Sequence, residues 1–83
     1  MNLKMAHSNK RFDLEMELST EWDDKKMLEI CKNLEKLYTK KELEEIKNIP
    51  PEDWDRAQLE TVKMNWYLNG TLQRAIDKEN STT

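Results

Sequence analysis

In 83 residues the chain has a single glycine, Gly70, and a single proline pair, Pro50-Pro51, so long stretches run without a backbone breaker. Lys, Glu and Leu, all good helix formers, are abundant, and the combination points to a chain built mainly of helices. Charged residues make up 37% of the sequence and apolar ones 36%, with both signs interspersed and a net charge of −3. Three Trp, two Tyr and one Phe set it apart from disordered chains, which lack aromatics and carry a large net charge. The composition is that of a folded helical domain with a heavily charged exterior.

A chain of this length makes one domain, residues 1–83, at the small end of what folds alone. Domains of this size bury only about 60–65% of the surface their unfolded chains expose, so the core is thin. Few side chains remain to build a water-excluded pocket, which lowers the expectation of an enzyme.

The first 19 residues depart from the helical pattern. Phe12, Leu14, Met16 and Leu18 alternate with Arg11, Asp13, Glu15 and Glu17, the period of a half-buried strand. Leu3 and Met5 also alternate, and His7-Ser-Asn-Lys10 could turn the chain. The pattern predicts a short N-terminal β-hairpin, or a strand that pairs with a second copy of itself, because an isolated strand leaves its backbone groups unpaired. The Glu and Met content of the run favours helix instead. The expected class is therefore mostly α, a small α+β domain: a hairpin or strand over 1–19, a helical core of three to four helices over 20–78, and a frayed tail over 79–83.

Ser19 or Thr20 is a suitable cap for the first helix, and Glu21, Asp23 and Asp24 suit its N-terminus. At 100° per residue, Met27, Ile30, Cys31, Leu34, Leu37 and Tyr38 fall within one arc of about 120° and predict a buried stripe. Leu28 lies beyond the stripe, and Trp22 sits on another side. Thr39-Lys-Lys-Glu42 has the capping-box form and starts a second helix at Lys40, which carries Leu43 and Ile46 inward and ends before Pro50. Pro51, Glu52, Asp53 and Asp55 form a favourable first turn for a third helix running to Leu68, with Asn69-Gly70 as its left-handed cap. Thr71 then begins a short last helix with Leu72, Ala75 and Ile76.

On the third helix Leu59, Val62 and Trp66 form one apolar edge. Trp54, Ala57, Met64 and Leu68 form another roughly 160° away, with Lys63, Arg56, Glu60 and Tyr67 on the solvent side between them. A helix apolar on two sides is buried on more than one.

Most specific chemistries lack the residues they need. The only cysteine is Cys31 and the only histidine His7, so neither an internal disulfide nor a four-ligand zinc site can form. Cys31 falls on the buried stripe, where it acts as a small apolar residue. One glycine cannot build a phosphate loop or a dinucleotide fingerprint. The acidic groups Asp23-Asp24, Glu42/Glu44/Glu45 and Glu52-Asp53/Asp55 lie in or near first helical turns, where acids are favoured without any metal. No cofactor, metal or catalytic residue is expected. No stretch approaches the roughly 18 apolar residues of a membrane span, and no secretory signal is recognisable, so a cytoplasmic location is expected.

The order strand, helix, helix from Lys10 to Ile49 resembles a ribbon–helix–helix layout, which implies a dimeric DNA-binding regulator whose ribbon enters the major groove. The charges oppose that alternative. Asp13, Glu15 and Glu17 would face the phosphates, and residues 12–24 carry six acids and no base. The lysines across residues 25–49 are interleaved with five acids, as on a mixed solvated surface.

What remains is protein–protein contact. Trp22, Trp54 and Trp66 lie on three different helical faces, more than one thin core accommodates, and Trp and Met are enriched at the centres of interfaces. Trp22, Trp54, Met64, Trp66 and Leu68 are the candidate partner-binding residues. The expected function is that of a small non-enzymatic regulator or inhibitor binding another protein or a second copy of itself. In type it is similar to the small acidic helical modulators of host machinery encoded by phages and plasmids.

Overall fold

The alternating run expected to form a strand is helical. A computed structural model describes residues 3–81, with side chains from residue 10 to residue 81, and it contains five α-helices. These are α1 (Leu3–Thr20), α2 (Asp24–Glu35), α3 (Lys40–Lys47), α4 (Leu59–Leu68) and α5 (Thr71–Ser81), with a 3-10 turn at Pro51–Asp53. No strand occurs among the described residues, so neither the N-terminal β-hairpin nor the strand of a ribbon–helix–helix-like layout is present there. The positions expected for a first strand and its turn, from Leu3 to Lys10, are the opening turns of α1, while residues 1 and 2 lie outside the described residues.

The reason is a degeneracy in the pattern. In a helix Leu14 and Leu18 are one turn apart on one face, and Phe12 and Met16 share another face roughly 200° away. Leu18 is fully buried and Leu14 packs against the core, whereas Phe12 and Met16 are 57% and 53% exposed. A helix pairs its own backbone groups, while a strand here would need a partner edge. Packing of α1 on α2 and α4 selects the helix.

The cap of α2 is Asp23, whose Oδ2 accepts the Lys26 backbone N–H at 3.1 Å. Ser19 and Thr20, the caps suggested by the sequence, instead donate their hydroxyls back to Met16 O (2.7 Å) and Glu17 O (3.2 Å) in the last turn of α1. The predicted stripe is present, with Met27, Ile30, Cys31 and Leu34 buried and Leu37 and Tyr38 packed beside them. The capping box of α3 also forms. Thr39 Oγ1 accepts from Glu42 N at 3.1 Å, and Glu42 Oε1 accepts from Thr39 N at 2.9 Å.

The third helix is shorter than its pattern suggests. It begins at Leu59 rather than Pro51, because residues 54–58 turn the chain back and bring Trp54 edge-on to Trp66, ring centroids 6.0 Å apart. Twelve residues along a continuous helix would separate these two by about 18 Å. Gly70, at φ +80°, closes α4 in the left-handed conformation, where a side chain is strained. From there α5 buries Leu72 and Ile76 and stays helical to Ser81, past the point where fraying was expected; residues 82 and 83 lie outside the described residues.

Four consecutive residues of α4, Val62 to Asn65, are buried, since α1, α2, α3 and α5 all pack around it. Two of the four are polar, and each closes the C-terminal end of another helix. Lys63, expected on the solvent side, is wholly buried, and its Nζ donates to Leu18 O (2.7 Å), Ser19 O (3.4 Å) and Glu21 O at the end of α1. Asn65 Nδ2 donates to Ile46 O (2.7 Å), Lys47 O (3.3 Å) and Ile49 O (3.1 Å) at the end of α3. Neither helix end has a glycine cap, so the orphan carbonyls are satisfied from α4.

Candidate interaction surface

The linker between α1 and α2 holds Trp22, and Lys63 fixes its position. The Lys63 ammonium lies 3.8 Å from the centre of the Trp22 ring, while Trp22 itself remains 61% exposed. Burial pulls the Lys63 ammonium below the usual lysine range, and the nearby Glu21 carboxylate raises it again. Trp22 is thus a tryptophan pinned on one face and open to solvent.

Beside it are two adjoining recesses. The first, about 260 Å³, is lined by Trp22, Asp23, Asp24, Lys25 and Glu79. The second, about 330 Å³, has walls formed by Trp54, Trp66, Met27, Leu72 and Ala75, and also reaches Asp24. Asp24 therefore marks the seam between a polar recess and an apolar one. Trp54 and Trp66 meet at an interplanar angle of 75°. The Trp54 indole N–H is buried and meets no acceptor among the described residues.

Of the five candidate partner-binding residues, Trp22, Trp54 and Trp66 come together along these recesses through Asp24. Met64 is at the centre of the core with no exposed surface, and Leu68 is half-buried away from the recesses' lining. Sequence reasoning missed Asp24 and Ala75, because only the return of residues 54–58 and the packing of α5 against α2 place them beside the indoles. It also missed the outward pair Phe12 and Met16, flanked by the exposed Asp13 and Glu17. The helix propensity of residues 10–18 was the signal for that pair.

Elsewhere a polar cluster ties α1 to α3. Arg11 Nη2 lies 2.8 Å from Glu42 Oε2, its guanidinium stacks 4.1 Å from the Tyr38 ring centre, and Tyr38 donates its hydroxyl to Glu15 Oε2 at 2.6 Å. The Arg11 hydrogen bond, with the Thr39 backbone N–H behind it, lowers the Glu42 carboxyl to about 2. Burial and the Glu15 carboxylate push the Tyr38 hydroxyl up. The Cys31 thiol, buried and directed at Lys63 O (3.9 Å), is pushed up to about 12 by desolvation, so it is neither accessible nor a thiolate near neutrality.

Among the described residues no group of three His, Cys, Asp or Glu is placed to hold a metal ion, and no helix is long and apolar enough to cross a membrane. Compared with protein-family models, curated proteins and solved structures, the chain matches none.

Proposed function

We propose that this protein acts by binding another protein, as a small non-enzymatic regulator or inhibitor, through the tryptophan surface where α2 begins beside α5. The observation that carries the reading is the convergence of Trp22, Trp54 and Trp66 on two adjoining recesses. An indole left 61% exposed on a fixed perch is an anchor of the kind that dominates interface energies. Recesses joined by a charged seam allow an apolar anchor with a polar rim. A cytoplasmic setting goes with this reading, since the single cysteine is free and buried. The partner is another chain, with self-association as one form of it.

A photo-crosslinking residue at Lys25 or Ala75, beside the recesses, and at Lys41 on α3 as a control tests the proposal in source cells. Adducts of defined mass should form from the first two positions and not from the third. A strict monomer that gives no adduct at Lys25 or Ala75 refutes it.

A further inference from the structure

The geometry points to a lysine-type cation on an aliphatic stem, presented by a basic partner protein, as the occupant of the Trp54–Trp66 recess. This rests on the protein-binding reading above and specifies the chemistry that the surface recognises.

Three features converge. The recess walls are Met27, Leu72, Ala75 and two indoles set at 75° to one another, a lining that suits a methylene stem and offers aromatic faces to a cation. Its polar boundary is Thr71 and Asp24, and Asp24 is the one charged residue in the lining. A neutral apolar anchor would use the walls and ignore that boundary, and an acidic one would be repelled by it. A stem with a terminal ammonium or guanidinium uses both, laying methylenes along the indoles and bringing its charge to the seam. The molecule already holds its own cations this way, with Lys63 over Trp22 at 3.8 Å and Arg11 over Tyr38 at 4.1 Å. Asp23 already caps α2 through Lys26 N, so Asp24 is the carboxylate assigned to the incoming charge.

The test is an NMR titration of the full chain with octalysine, with its fully Nζ-acetylated counterpart and with octaglutamate, read at the Trp54 and Trp66 indole N–H signals and the Ala75 methyl. Octalysine should shift these signals saturably, and the shifts should weaken with salt. Asp24→Asn should reduce octalysine affinity about 1.5- to fivefold, the range for an exposed ion pair. Ala75→Phe, on an exposed position of α5, should fill the recess and abolish the shifts of the two indole N–H signals while the fold is kept. Acetylated peptide binding as well as octalysine, or octalysine shifts indifferent to both substitutions, overturns the cationic occupant. So does the absence of any shift. If crosslinked adducts at Ala75 persist in that case, protein binding stands and only the occupant is wrong; if they are missing too, both readings fail.

Discussion

The Lys63 ammonium lies 3.8 Å from the centre of the Trp22 ring, so the most exposed tryptophan of the chain covers its most buried charge. The same ammonium closes the end of α1 through three carbonyls. One residue of α4 therefore ends a helix and orients the candidate anchor. Lys63→Met, which keeps the stem and loses the donors, should cost about 2–4 kcal/mol in urea unfolding, since buried carbonyls are left unpaired. Trp22→Ala should cost about 0.5–2 kcal/mol, and a double-mutant cycle should show coupling between the two. A Lys63→Met protein as stable as the parent contradicts this account.

Asn65 does for α3 what Lys63 does for α1. Asn65→Ala should destabilise by about 1–3 kcal/mol. It should also speed amide exchange at Asn48 and Ile49, whose N–H groups bond Glu44 O and Ile46 O in the end that Asn65 closes. Asn65→Asp should be worse, because a carboxylate would face the same carbonyls. Unchanged exchange at the end of α3 would show that the contacts are incidental.

The Arg11–Glu42 pair sets an acid limb. Glu42 has its folded-state carboxyl lowered to about 2 from an ordinary 4.5, so its contribution is complete above pH 4.5 and is lost as pH falls through about 2. A carbon-detected titration should place the Glu42 midpoint near the lower value, and Arg11→Met should move it up. A midpoint above 4 in the parent protein would discard the pair as a stabilising contact.

The two faces of α1 separate under mutation. Leu18→Ala should cost about 2–5 kcal/mol, the range for emptying a buried leucine site. Phe12→Gln and Met16→Gln should each stay within about 0.5 kcal/mol of the parent, as surface changes do. A strand with all of its alternating apolar residues turned inward would lose stability at every one of these positions, so comparable losses would reinstate it.

Trp54→Phe keeps an aromatic ring against Trp66 and removes the buried N–H that has no acceptor. Stability should be unchanged or should rise by up to about 1 kcal/mol. A loss of more than about 1 kcal/mol would show that the contacts of the lost ring outweigh the unpaired N–H.

The signals legible in the chain are those that act within one turn. Thr39 and Glu42 form their capping box, Gly70 takes the left-handed turn, and the stripe from Met27 to Leu34 is buried, because each depends on neighbours three or four residues away. Three outcomes rest on residues distant in sequence, and there the local pattern misleads. Phe12, Leu14, Met16 and Leu18 satisfy both a strand and a helix, and contact with α2 and α4 selects the helix. Lys63 reads as a solvent-facing lysine until the end of α1, more than 40 residues earlier, supplies three carbonyls for it. Trp54 and Trp66 read as separate edges of one long helix until the chain folds back at residues 54–58 and makes them walls of one recess. Capping and periodicity are local free energies and can be read locally. Burial of a charge and the meeting of two indoles depend on which helices pack together, and that only the tertiary structure decides.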